Sequence, residues 1–165
     1  MNMIKSPNEY TTRNKFSIFL AGSIEMGMAV DWQQSIADAL YDIDGVQLLN
    51  PRRDDWDSSW AQTIENPQFA EQVRWELTAL EKSDLIIYYF APGTQSPISL
   101  LELGLYANHT KNIWVCCPEG FWRKGNIEIV CQRYMIPFFD DFDHMVDDLR
   151  YYLPIWTEDD YEQLT

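Results

Sequence analysis

The sequence predicts an α/β protein, a single domain built on a five-stranded, doubly wound parallel sheet. Three observations carry that reading. Residues 85–90 (LIIYYF) are continuously apolar and aromatic. The run is too short for a helix and apolar on both faces, as a central parallel strand covered on both sides must be. Runs of this kind alternate with helical patterns along the chain. The length, 165 residues with 46% hydrophobic content, suits one domain that buries a full core without disulfides or metal.

Taken in order, residues 1–15 are polar and read as an arm ahead of a domain over 16–153. Residues 16–21 (FSIFLA) form the first strand, ended by Gly22 and Ser23. Glycine there permits a tight turn and close approach of a ligand to the backbone, and Gly27 adds a second flexible point. Asp31 caps a helix over 32–43, with Ile36, Leu40 and Ile43 at helical spacing, closed by Gly45. Residues 46–49 make the second strand of a right-handed βαβ unit. The stretch 50–61 (NPRRDDWDSSWA) is rich in turn formers, charge and tryptophan, and it leaves the sheet edge where ligands bind. Asn66 and Pro67 open the next helix, with Phe69, Val73, Leu77 and Leu80 as its apolar stripe. The central strand at 85–90, a loop marked by Gly93 and Pro97, and a helix over 98–107 follow. A fourth strand (112–117), a short helix (127–133), a fifth strand (134–139) and a last helix (141–153) complete a flavodoxin-like or Rossmann-like sheet. Residues 154–165 read as an acidic, aromatic tail.

Composition narrows the function. A net charge of −14 favours solubility and repels nucleic-acid polymers and anionic membranes, yet leaves room for a small anionic ligand in a polar pocket. Cys116, Cys117 and Cys131 have no metal-ligand spacing and read as core thiols of a reducing compartment. No apolar run approaches a membrane span and residues 1–15 do not read as a signal peptide, so the expected location is cytoplasmic.

The catalytic inventory is short. His109 and His144 fall away from the functional edge, and neither a phosphate-loop lysine motif nor GxGxxG is present. Carboxylates remain. Glu102 sits between Leu101 and Leu103 at the C-terminal edge of the central strand, with Glu25, Asp54 and Glu76 on neighbouring elements. Carboxylates without a metal motif suit glycosidic-bond chemistry, one of them acting as nucleophile or stabilising an oxocarbenium-like centre. Each also has a plainer reading. Glu102 can be a charge near a helix N-terminus, Glu76 a solvent-facing helix charge, Ser96 a turn residue and Asn126 a helix cap. Asp54 and Arg52 belong either to a surface loop or to a base-side pocket.

Several stretches together resemble the nucleoside 2-deoxyribosyltransferases and the related nucleotide N-glycoside hydrolases. They are FLAGSI, NPRR, WELTALEKSDLIIYYF and SPISLLELGLYA, spread over about residues 16–126. The resemblance implies that Glu102 is the nucleophile, attacking the anomeric carbon and holding a deoxyribosyl ester. It maps the group that orients or protonates the departing base onto Glu76, where the transferases have aspartate. Ser96 matches a serine that helps hold a 5′-phosphate in the nucleotide hydrolases, and Asn126 an asparagine lent by a neighbouring subunit to the sugar. Gly22 and Ser23, with Ile24 and Glu25, fill the first substrate loop. The transferase tyrosine of the first strand is absent, since Ile18 stands there. The resemblance further implies a nucleoside or nucleotide as substrate, no cofactor or metal, and a homo-oligomer, for which Trp156 and Tyr161 are candidate contacts. Two rivals stay open. One is an NAD-type or signalling-nucleotide glycohydrolase, because TIR-like domains also place a glutamate on a flavodoxin-like sheet. The other is a non-catalytic nucleotide-binding or scaffold protein.

Overall fold

The structure, a computed structural model, describes residues 1–24, 30–109 and 111–162, with side chains to residue 157. Six parallel strands form one sheet: β1 (Asn2–Lys5), β2 (Phe16–Gly22), β3 (Val46–Asn50), β4 (Leu85–Tyr89), β5 (Asn112–Cys116) and β6 (Phe138–Phe139). Their order is β1-β3-β2-β4-β5-β6. Among the described residues five helices flank it: α1 (Trp32–Ala39), α2 (Pro67–Lys82), α3 (Pro97–Tyr106), α4 (Lys124–Tyr134) and α5 (Phe142–Glu162).

Side-chain alternation along the central strands builds two cores. Ile18 and Leu20 of β2 and Leu85 and Ile87 of β4 meet Ile36 of α1 and Met145, Leu149 and Leu153 of α5. Phe19 and Ala21, with Ile86 and Tyr88, meet Leu80 of α2, Leu103 of α3 and Ile127 and Cys131 of α4. The sheet is thus doubly wound. Its chain leaves β2 and β4, which are adjacent, toward opposite sides, and this makes a switch-point crevice at their C-terminal ends.

Four expectations need correction. The sheet has six strands, not five, because part of the N-terminal arm is an edge strand: Asn2 to Lys5 pair in register with Gln47 to Asn50. An edge strand of four residues needs little apolar signal; Met3 packs into one core and Ile4 into the other. The fifth predicted strand shrinks to Phe138–Phe139, since α4 runs to Tyr134 and ends on Met135 in the left-handed conformation, φ 56°. The tail continues α5 through Pro154 to Glu162. Trp156 is half-buried and stacks on Phe16 at 5.6 Å within its own chain. Finally, the inward face of α2 is rotated from the expected stripe: Leu80 is buried as expected, but Leu77 is 37% exposed and Phe69 and Val73 are half-buried, while Ala70, Gln72 and Ala79 are buried. That rotation brings Glu76 to the sheet side.

Candidate active site

The crevice is built first from a close strand contact. Gly22 ends β2 opposite Tyr89, with φ 138°. A Cβ at this position would meet the Tyr89 carbonyl oxygen at 2.2 Å, so only glycine fits. The close approach it permits here is to the neighbouring strand's backbone. The next residue, Ser23, donates its backbone N–H to the Tyr89 carbonyl at 2.9 Å and is fully buried.

Hydroxyls converge from there on the start of α3. Ser23 Oγ accepts the Ala91 N–H at 2.9 Å and lies 2.7 Å from both Thr94 Oγ1 and Ser96 Oγ. Ser96 is the residue before α3 and adopts the left-handed conformation (φ 45°, ψ 51°), which turns its hydroxyl into this cluster instead of capping its own helix. Ser99 Oγ donates to the Gly22 carbonyl at 3.0 Å, tying the first turn of α3 to the end of β2.

Two carboxyls follow, on α3 and on α2. Glu102, in the second turn of α3, is only 7% exposed. Burial, and then the charge of Glu76, push its pKa up to about 8. Glu76 keeps some exposure, but its carboxyl end is desolvated and titrates at about 7, held back by a hydrogen bond from Gln72. Gln72 is buried and fully engaged. Its Nε2 donates to Glu76 Oε1 at 2.9 Å and to the Pro51 carbonyl at 2.8 Å, and its Oε1 accepts from Ser6 Oγ at 2.6 Å. Ser6, just past β1, and Pro51, just past β3, therefore hold the Gln72 amide that fixes the Glu76 side chain. Two coupled carboxyls with raised pKa values share protons near neutrality, and Glu76 is not the solvent-facing helix charge of its plainer reading.

The other expected residues lie elsewhere. Asp54 is exposed and pairs with Lys5 at 2.6 Å. Arg52 braces the post-β3 loop to the segment before α1, through Gln33 Oε1 and the Val30 carbonyl, both at 2.9 Å. Arg53 pairs with Asp55 and Glu71 and lies over the Trp60 ring. Asn126 is exposed in the first turn of α4, where Arg123 holds the cap position. His109 lines a cleft at the opposite sheet edge with Lys111 and Trp114. Glu25 and Gly27 lie outside the described residues. Cys116 belongs to one core and Cys117 and Cys131 to the other, all three as buried free thiols. Among the described residues, no three His, Cys, Asp or Glu side chains are grouped to hold a metal ion. No helix of the described residues is long and apolar enough to cross a membrane.

Sequence reasoning missed Gln72, Ser6, Thr94 and Ser99. Gln72 stands four residues before Glu76 on one helix, the spacing at which an amide reaches a carboxylate, and that was its signal.

Residues 15–121 match the family model described as nucleoside 2-deoxyribosyltransferase like. The chain belongs to that family. The matched span holds Gly22, Ser23, Asp54, Glu76, Ser96 and Glu102, while Asn126 lies beyond it. No curated protein matches the chain significantly. Its fold is shared with a conserved protein from Enterococcus faecalis V583 known from a crystal structure, at TM-score 0.57 and 9% identity over 83% of this chain and 98% of that one. In this deoxyribosyltransferase-like chain the hydroxyl cluster and the carboxyl pair occupy the switch-point edge, where ligands of open α/β sheets bind.

Proposed function

We propose that this protein cleaves the N-glycosidic bond of 2′-deoxynucleosides or their monophosphates. A Glu102 oxygen attacks the anomeric carbon. The bond from that carbon to the base nitrogen breaks, its electron pair stays on the base, and the base takes a proton from Glu76 directly or through water. The resulting glutamyl–sugar ester is then opened by a second base, giving transfer, or by water, giving hydrolysis. The observation that carries the reading is the buried pair of carboxyls at the switch-point edge.

The proton inventory fits both roles. With values of about 7 and about 8, the pair carries about one proton between these limits. The working form has Glu102 ionised and Glu76 protonated. Substrate contacts that favour the ionised form of Glu102 leave the shared proton on Glu76, where the departing base needs it. The left-handed Ser96, with Ser23 and Thr94, offers hydroxyls at the start of α3, where the helix dipole favours an anion such as a 5′-phosphate. No cofactor enters these steps. A second copy of the chain is the partner this reading calls for. α3 exposes Ile98, Leu101 and Leu105 on one face, and the exposed Asn126 is free to serve a neighbour's sugar site.

The test is an incubation of the protein with pooled deoxynucleosides and their monophosphates, with and without excess adenine or cytosine, read by liquid chromatography beside Glu102→Ala. New base–sugar pairs that need the acceptor identify transfer; free base without exchange identifies hydrolysis. An unchanged pool overturns the reading and moves the glycohydrolase and binding-protein alternatives ahead of it.

A further inference from the structure

Tyr88 is fully buried on β4, and its phenolic oxygen has no hydrogen-bond partner. Buried tyrosine hydroxyls ordinarily find one, and phenylalanine would fill the same space without stranding a polar atom. Strand alternation sends Tyr88 to the face covered by α2, α3 and α4, in the same core as Leu103, the residue after Glu102. Its ring is held there by stacking on Phe90, 6.1 Å between centroids and 6° between planes. The hydroxyl thus stands under the helices that carry the two glutamates.

The groups that act on this spot are few. The charge of Glu76 on α2 acts on Glu102, Tyr106 of α3 is electrostatically coupled to both Tyr88 and Glu102, and Glu81 of α2 acts on Tyr106. No cation is among them. Burial first, and then the charge of Glu102, hold the Tyr88 phenol in its protonated form, so it stays a donor.

We propose that Tyr88 is a positioning residue for Glu102: its hydroxyl donates a hydrogen bond to the Glu102 carboxylate when that group ionises. The bond fixes which carboxylate oxygen faces the sugar and favours the ionised, nucleophilic form. The catalytic meaning rests on Glu102 being the nucleophile; the hydrogen bond itself does not.

The experiment separates the two. Carbon-13 NMR of the side-chain carboxyls, with Glu102 assigned through Glu102→Gln, gives its titration midpoint in the wild type and in Tyr88→Phe. The expected result is a midpoint about one unit higher in Tyr88→Phe, because a donor to the ionised form is gone. In the wild type, the Tyr88 ring carbon that bears oxygen should shift with the Glu102 midpoint, a readout that needs no variant. An unmoved midpoint, or a flat tyrosine trace, overturns the proposal whether or not the protein turns over a nucleoside. Where turnover is present, Tyr88→Phe should lose about 10- to 100-fold in kcat with KM nearly unchanged, and the acid limb of its pH profile should move upward. A wild type without glycosidic activity sinks the functional reading, and the titration still decides the hydrogen bond.

Discussion

The two faces of the sheet are built from the same strands to opposite ends. The face under α1 and α5 is apolar through its centre, with Ile18, Leu20, Ile36, Leu48, Met145 and Leu149 at or near zero exposure. The face under α2, α3 and α4 has equally good aliphatic and aromatic packing, yet it also buries Gln72, Glu102 and an unpartnered Tyr88 hydroxyl. Apolar burial stabilises in proportion to area, whereas a buried carboxyl or stranded hydroxyl costs free energy. The α1 side also buries a polar group, Gln33 with an unpartnered Nε2, but among the described residues the buried carboxyl lies on the other face, which keeps the groups poised for chemistry.

The strongest way to break this comparison is Glu102→Gln. Turnover in the deoxynucleoside assay should fall by at least ~10³-fold, because the nucleophile is gone while shape and burial remain. Stability should move the other way. Both carboxyls have folded-state values, about 7 and about 8, above the 4.5 of the unfolded chain. The native state therefore holds extra protons between about 4.5 and about 8, and wild-type stability falls as pH rises through that window. Thermal melts should show Glu102→Gln close to wild type near pH 4 and more stable at pH 9, by on the order of 2–4 kcal/mol. A variant destabilised at both pH values would mean that Glu102 holds the fold together after all.

On the opposite face, Leu149→Ala should cost ~2–5 kcal/mol in denaturant unfolding and leave kcat of the folded fraction unchanged. Gln72→Leu comes next. It removes the donor to Glu76 and strands the Ser6 hydroxyl and the Pro51 carbonyl, at ~1–3 kcal/mol. The Glu76 midpoint should rise further, so the basic limb of the pH–rate profile should move up by roughly half a unit to one unit. The smallest effect is expected at Ser96→Ala: roughly 3- to 10-fold lower kcat/KM on monophosphates, with free deoxynucleosides unaffected, as for the loss of one phosphate hydrogen bond.

Much of the face under α1 and α5 was legible, because period-two strands and period-3.6 helices write their burial into the sequence. The spacing of Ile36 and Leu40 and the stripe through Met145 and Leu149 led directly to one core. Glu102 was legible for the opposite reason, a lone charge between leucines at a strand's C-terminal edge. The face of α2 was not. An apolar-stripe argument selected Phe69, Val73, Leu77 and Leu80, of which Leu80 is fully buried, but the helix also buries Gln72 and turns Glu76 inward, since polar groups satisfied by one another can replace apolar ones. β1 escaped notice because an edge strand needs only half a pattern, and the Ser23–Thr94–Ser96 cluster because it joins loops 71 and 73 residues apart. The left-handed Ser96 had no signal of its own, as serine rarely takes that conformation.

In the proposed reaction Glu102 carries the sugar between donor and acceptor. Acid quenching of the protein during turnover of a deoxynucleoside or its monophosphate, followed by peptide mass spectrometry, tests it most directly. The expected result is a deoxyribosyl adduct on the peptide that contains Glu102, lost in Glu102→Gln and discharged on adding an acceptor base or on standing in water. Turnover at full rate with the sugar on another residue, or undiminished turnover in Glu102→Gln, would contradict it.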